Sequence, residues 1–187
     1  MRLSRDDIQL FYKLHSLLLV HASRKLGVLP DEEATPEGFR ALPPETGLKV
    51  RDVLHAQPER IDDFVQENPA DLAPGELEIV RGWKHAIVGS FYVFRFLKRY
   101  TVFLVDGDPP KAYGVLALTN SFEELVGPVL PVFTRAILLP WKDSITYDGL
   151  LNPYRISFGP GIRRRLNESY REAKATFGII TSLPFGE

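Results

Sequence analysis

The residues with the clearest chemical potential lie at a junction between a predicted strand and the last predicted helix. Gly159, Pro160 and Gly161 form the junction, and arginines occupy the first turn of the helix that follows. The start of a helix presents free backbone N–H groups and partial positive charge, and glycine lets an anion approach them closely. The spacing matches neither a phosphate-binding loop, which needs Gly-Lys-Ser/Thr, nor G-x-G-x-x-G, because Arg164 stands at its last position. The junction therefore predicts a general anion site.

The predicted helix, 162–177, extends this site into a cationic stripe. At about 100° per residue, its apolar residues share one face and its cationic residues share another. The apolar face consists of Ile162, Leu166, Tyr170, Ala173 and Phe177, and the polar face consists of Arg163, Arg164, Asn167, Arg171 and Lys174. The predicted anion-binding residues are this polar face and the two glycines of the junction. The alternative is that the glycines only turn the chain and that the arginines are solvated surface residues.

A second group of candidate residues lies around a predicted β-hairpin. Asp143, Tyr147 and Asp148 are close together in the chain. Two carboxylates beside a phenol suit acid-base catalysis or the binding of a divalent ion, so the three residues define a candidate catalytic site. The alternative is that Asp143 lies in the hairpin turn and that Asp148 forms a turn with Gly149. This alternative predicts a structural role for Asp148.

The other reactive side chains predict no metal site and no cofactor. The chain has no cysteine, and its histidines are His15, His21, His55 and His85. None belongs to an HxH or HExxH pair, so a metal site would need distant partners to converge. Ser121 and Ser144 lack a G-x-S-x-G context, which leaves a serine hydrolase without local support.

Composition and charge describe an ordinary globular chain. Of its 187 residues, 44% are apolar and 25% are charged, and the formal net charge is −1. This charge creates no general attraction to nucleic acid or to a membrane, so affinity for either needs a local patch. The apolar run 126–141 contains three prolines and Arg135, and the run 8–22 follows two aspartates, so neither resembles a membrane span or a secretion signal. We predict a cytoplasmic protein without a membrane partner.

The first half of the chain carries helical patterns. Apolar residues recur every three or four positions over 5–26, and Gly27 predicts the end of that helix. Shorter helices are predicted at 48–57, 58–67 and 74–88. Residues 28–47 are rich in proline and acidic residues and predict a connecting loop. Trp83 lies on the apolar face of the third short helix, which leads into the first strand, so we expect it to be buried between the helices and the sheet.

The second half of the chain carries strand patterns. Aromatic and β-branched residues dominate several segments bounded by turn residues. The predicted strands are 91–97, 100–105, 111–118, 132–139, 144–150 and 154–158. Ser121 and Glu124 have capping-box spacing, which predicts a helical turn between the third and fourth strands. The predicted fold is α+β: N-terminal helices in 1–88, then a C-terminal helix behind a mostly antiparallel sheet or small β-barrel of about five to six strands in 89–187, sharing one core.

Several motifs in the last third of the chain resemble a set of uncharacterised prokaryotic proteins. The motifs are LPWK (139–142), ITYDGLL (145–151), YRISFGPGIRR (154–164) and GIITSLP (178–184). The resemblance continues upstream at 68–84 and at YGVL (113–116), so that it spans most of 48–184. It implies an intracellular prokaryotic origin, and it implies no activity.

These residues lead to three functional hypotheses. The first is a non-enzymatic intracellular binding or regulatory protein, with another protein or a polyanion as its partner. The second is phosphate or nucleic-acid binding by the helix at 162–177, and the third is an enzyme centred on Asp148, Asp143 and Tyr147. A pocket that contains both carboxylates would favour the enzyme, and a groove along the cationic stripe would favour anion binding. An exposed apolar patch would favour a protein partner.

Overall fold

The computed structural model describes residues 1–30, 34–154 and 156–185. The chain forms two compact units, one of Arg5–Lys84 and one of Met1–Ser4 with His85–Glu187. The first unit is helical, and the second holds a six-stranded sheet with helices. None of the helices in the described ranges is long and apolar enough to cross a bilayer.

The helical unit is built around its first helix. Its helices are α1 (Arg5–Lys25), α2 (Pro36–Ala41), α3 (Pro44–Ala56), α4 (Glu59–Glu67) and α5 (Pro74–Gly82), and a 3₁₀ turn over Trp83–His85 follows α5. The helix α1 contacts each of the other four. Trp83 is fully buried, as its apolar position predicts, and its ring centroid lies 5.7 Å from those of Phe11 and His15 on α1. The apolar stripe of α1 therefore supplies the core of this unit.

The prediction of a connecting loop over 28–47 is wrong where α2 and the start of α3 occupy it. Pro36 and Pro44 each stand at the start of a helix, where the missing N–H of proline costs no hydrogen bond. The Thr35 hydroxyl accepts a hydrogen bond from the Gly38 N–H and caps α2. These prolines therefore begin helices instead of interrupting them. Residues 31–33, which belong to the same predicted loop, lie outside the described residues.

The sheet of the second unit closes into a barrel. Its strands are β1 (Ile87–Phe96), β2 (Thr101–Val105), β3 (Lys111–Val115), β4 (Val132–Trp141), β5 (Ser144–Tyr147) and β6 (Asn152–Pro153). The order is β1-β2-β3-β5-β4, β1 pairs again with β4, and β6 adds to β4. The pair β3 and β5 is parallel, and the other strand pairs are antiparallel. The prediction of an α+β fold with N-terminal helices and a small barrel is confirmed.

Aromatic side chains fill the barrel. The ring centroids of Phe91 on β1 and Phe103 on β2 are 6.0 Å apart. Phe103 lies 4.9 Å from Phe122, which belongs to the short helix α6 (Phe122–Val126) between β3 and β4. Ser121 and Glu124 form the predicted capping box at the start of α6. Because side chains alternate along a strand, the neighbours of Phe91 and Phe103 point to the outer face of the barrel.

The last helix, α7 (Pro160–Phe177), covers the outer face of β1, β2 and β3. Leu166, Tyr170 and Ala173 of α7 form one buried cluster with Phe94, Val102, Leu104 and Ala112 of the strands. These three α7 residues belong to the predicted apolar face, whereas Ile162 is exposed. The packing of α7 fixes where its polar residues lie.

The prediction of a strand at 154–158 is wrong for the described residues of that segment. The strand β6 ends earlier, at Pro153, and the Tyr154 N–H donates one further hydrogen bond to the Phe133 carbonyl. The Ile156 N–H then donates to the Tyr154 carbonyl, a hydrogen bond within the segment itself. Arg155, in the middle of the predicted strand, lies outside the described residues.

Candidate anion-binding site

The start of α7 is open to solvent. Gly159 is the residue before the helix, and no side chain of the described residues caps the helix there. Its φ is −71°, and a Cβ atom added to Gly159 or to Gly161 would meet no described atom within 4 Å. Neither the backbone nor the packing therefore requires glycine at these positions. The junction leaves an uncrowded approach to the first turn of α7.

Arg163 ties this junction to the connection between α6 and β4. Its Nε donates a hydrogen bond to the Phe158 carbonyl at 3.0 Å, and its Nη1 donates to the Leu130 carbonyl at 2.8 Å. Two backbone acceptors thus hold the guanidinium group in place. A guanidinium group has five N–H donors, so donors remain available for a ligand.

Arg163 and Asn167 line a surface pocket of about 220 Å³ together with Arg95. The Asn167 side chain joins the two arginines: its Oδ1 accepts from Arg95 Nη2 at 3.1 Å, and its Nδ2 donates to the Arg163 carbonyl at 2.8 Å. The Arg95 guanidinium group lies over the Tyr170 ring, 4.9 Å from its centroid. Phe94, Leu130 and Pro131 complete the lining. The pocket therefore brings two cations and one amide to a single surface.

Arg95 is the site residue that sequence reasoning missed. Strand alternation places Arg95 on the same side as Phe91 and Val93, whose side chains are fully buried. In the structure the pairing of β1 with β2 shifts between Val93 and Arg95, a β-bulge, and Arg95 is exposed. A bulge turns the following side chain to the other face of the sheet. The sequence did contain a sign of this site, because a charged residue stands at a strand position whose side chain should point into the barrel.

The remaining residues of the predicted stripe lie outside this pocket. Arg164, Arg171 and Lys174 are exposed on α7, and the Nε of Arg164 lies 3.9 Å from a carboxylate oxygen of Glu168. Arg165, off the stripe, forms an ion pair with Asp106 at 2.7 Å. The structure thus brings Arg163 and Asn167 together with Arg95.

The two carboxylates of the candidate catalytic site lie at opposite ends of β5. Asp143 is exposed in the turn before β5, whereas Asp148 is buried just after β5. The five steps along the chain from Asp143 to Asp148, at about 3.3 Å per residue of strand, separate their α-carbons by about 16 Å. The Tyr147 ring is buried and lies 5.1 Å from the Phe122 ring. Asp148 Oδ1 accepts a hydrogen bond from the Leu150 N–H at 3.3 Å, as a turn residue does.

His15 belongs to the core of the helical unit. Its ring stacks on Phe11, with the centroids 5.2 Å apart, and is 8% exposed. Burial, together with the nearby positive charge of Arg51, lowers the pKa of His15 from 6.5 to about 4. In the described part of the chain, no three metal-ligating side chains of histidine, aspartate or glutamate are grouped.

The pocket of Arg95, Arg163 and Asn167 is the site with the best-defined chemistry. Its cations are held by backbone carbonyls, by an amide and by an aromatic ring. Comparison with protein-family models, with curated proteins and with solved structures finds no match to this chain.

Proposed function

We propose that this protein is a non-enzymatic binding protein that holds a phosphate-bearing ligand in the pocket of Arg95, Arg163 and Asn167. The observation that carries the proposal is that Arg95 and Arg163 line the same surface pocket. The planar donor fork of arginine matches the oxygen atoms of a phosphate group and can bond two of them at once. The pocket thus offers both the charge and the geometry that phosphate recognition needs.

The lining of the pocket favours an anion over a cation. Within the described ranges, its lining residues include no carboxylate. Both arginines are also held before any ligand arrives, Arg163 by two carbonyls and Arg95 by Asn167 and the Tyr170 ring. A side chain that is already ordered loses less entropy on binding. Ordering therefore increases the affinity available from each charged hydrogen bond.

The same lining supports binding rather than catalysis. Its polar groups are guanidinium groups and an amide, which bond a phosphate but do not exchange protons near neutral pH. Acid-base catalysis needs a group with a pKa near the working pH, such as histidine or a perturbed carboxylate. The carboxylates of the enzyme hypothesis, Asp143 and Asp148, lie at opposite ends of β5.

The barrel adds an analogy at the level of fold. Its strand order, its parallel β3–β5 pair and the helix between β3 and β4 are those of the oligonucleotide/oligosaccharide-binding fold. Such barrels bind ligands on the face of their second and third strands, but here α7 packs on that face. A fold does not assign a function by itself. The analogy therefore supplies no binding face, and the proposal rests on the pocket of Arg95, Arg163 and Asn167.

The test is a binding titration with inorganic phosphate, mononucleotides and short oligonucleotides. We expect the double variant Arg95→Gln/Arg163→Gln to lose at least about tenfold in affinity for whichever phosphate compound binds, because charged hydrogen bonds are worth about 1.5–3 kcal/mol each. The matched control is Arg171→Gln/Lys174→Gln, which removes the same charge from exposed positions of α7 outside the pocket. Circular dichroism checks the fold of each variant. Equal losses in both double variants would show that the pocket is not the site.

A further inference from the structure

A row of four aromatic rings crosses the outer face of the barrel next to the pocket. We name Tyr154, Phe133, Tyr92 and Phe158 the aromatic row. Successive ring centroids are 5.4, 4.8 and 5.6 Å apart. Tyr92 of β1 and Phe133 of β4 are direct cross-strand partners, and Tyr154 bonds the Phe133 carbonyl through its N–H. Three neighbouring segments therefore hold the rings side by side.

The aromatic row is surface, unlike the aromatic residues inside the barrel. Tyr154 is 43% exposed, and the other three rings are partly exposed. Phe91, which precedes Tyr92 on β1, is fully buried. Strand alternation sends one residue into the barrel and the next out of it, so the chain places aromatic side chains on both faces. The inner rings fill the core. On the outer face, Tyr92 also packs against the cluster under α7, whereas Tyr154, Phe133 and Phe158 leave aromatic surface partly exposed.

Cationic residues lie at one end of the aromatic row and along one side of it. At the end, Arg163 donates to the carbonyl of Phe158, the last member of the row. At the side, the exposed Arg135 lies two residues along β4 from Phe133, on the same face of the strand. A row of rings bordered by positive charges matches a ligand with flat apolar groups on a negatively charged backbone.

We propose that the phosphate-bearing ligand is a single-stranded nucleic acid whose bases stack on the aromatic row while a backbone phosphate occupies the pocket of Arg95 and Arg163. This inference rests on the proposed function and names its ligand. Base stacking on aromatic side chains, beside cations that follow the backbone, is the chemistry by which proteins bind single strands. Bases in a duplex stack on one another, so a duplex leaves the row without a partner.

The test compares ligands that share one backbone charge but differ in their bases. Fluorescence anisotropy would measure binding of a short oligothymidylate, its abasic counterpart, the matching duplex and an oligouridylate, across a salt series. We expect the two single strands to bind at least about fivefold more tightly than the abasic strand or the duplex, because each stacked base contributes that much or more. The affinity should fall with salt, with a slope of about 0.7 per phosphate contacted. Tighter binding of oligouridylate or of oligothymidylate would identify RNA or DNA as the ligand.

The variant that isolates the aromatic row is Tyr154→Ala. Because Tyr154 is 43% exposed, we expect its removal to leave the fold intact and to weaken oligothymidylate binding by at least about fivefold. Binding of the abasic strand should stay unchanged. Tyr12→Ala is the matched control, since Tyr12 is 44% exposed on the helical unit, and it should bind as the wild type does. Tyr154→Trp, which keeps an aromatic ring at this position, should bind oligothymidylate as the wild type does.

The outcomes separate this inference from the proposed function. If the abasic strand binds as tightly as oligothymidylate and only Arg95→Gln/Arg163→Gln weakens it, the stacking proposal is overturned and phosphate binding stands. If no phosphate compound binds, both proposals fail. Concentration-dependent dimerisation that Tyr154→Ala abolishes, without oligonucleotide binding, would assign the row to a protein contact and overturn the nucleic-acid proposal.

Discussion

The buried His15 should make the helical unit lose stability in mildly acidic solution. The imidazole is 8% exposed, and its Nε2 has no hydrogen-bond partner within the described chain. Burial lowers the pKa of His15 from 6.5 to about 4, and the positive charge of Arg51 acts in the same direction. In the unfolded chain His15 takes up a proton near pH 6.5, whereas in the folded chain it stays neutral down to about pH 4.

The magnitude follows from this difference. Stability falls as the pH falls wherever the unfolded state binds more protons than the folded state. One pH unit within that window corresponds to about 1.4 kcal/mol. Lowering the pH from 7 to 5 should therefore cost about 2 kcal/mol, and the full window down to the folded pKa should cost about 3 kcal/mol. Above pH 6.5, the pKa of His15 in the unfolded chain, His15 is neutral in both states and no longer changes the stability.

Carboxylates contribute to the pH dependence of stability at lower pH than His15 does. The pKa of Glu67 is lowered to about 2, mainly by a hydrogen bond from Lys25, and the pKa of Glu76 is lowered by one from Lys13. The stability from such groups is complete above their unfolded pKa of 4.5 and is lost only as the pH falls below it. Measurements between pH 7 and pH 5 therefore lie above the range in which these carboxylates lose their contribution.

The assay is urea unfolding followed by circular dichroism at 222 nm, where the helices dominate, at pH 7, 6 and 5. His15→Leu should remove most of the loss of about 2 kcal/mol between pH 7 and pH 5. The exposed His85 supplies the control, and His85→Leu should retain the pH dependence of the wild type. If the wild type and His15→Leu lose the same stability over this range, a neutral, buried His15 is not the cause.

Three further substitutions test the packing. Trp83→Ala should cost on the order of 3–5 kcal/mol in urea unfolding, because the fully buried indole leaves a cavity; a cost below about 1 kcal/mol would contradict that packing. Gly114→Ala should cost about 1–3 kcal/mol, since the new Cβ would lie 2.8 Å from Tyr100 Cγ, and should cost much less in a Tyr100→Ala background. Asp148→Asn keeps an oxygen that can accept the Leu150 N–H, so its unfolding free energy should change by less than about 1 kcal/mol; a larger loss would mean that the charge itself matters.

The helix starts at Pro36 and Pro44 show that one local sequence pattern can fit two structures. The prolines at 36 and 44 suggested a loop, although proline is also frequent at the first position of a helix. Thr35 before the first of them was the signal that distinguishes the two cases, because its hydroxyl caps the helix. In contrast, Ser121 and Glu124 specified α6 correctly, since both partners of a capping box lie within one turn. Helix caps formed by residues within one turn can therefore be predicted from the sequence.

The amino-acid sequence by itself determined the α+β class, the helical and strand-rich halves and the cationic helix α7, because periodicity and capping are local. Only the tertiary structure decided which cationic side chains line the same pocket. Arg163 and Asn167 join Arg95 because a bulge turns Arg95 outward and α7 packs across β1. The aromatic row likewise exists only once β1, β4 and the segment before α7 lie side by side. Strand partners depend on contacts between residues far apart in the chain, and the spacing of residues along one segment does not encode them.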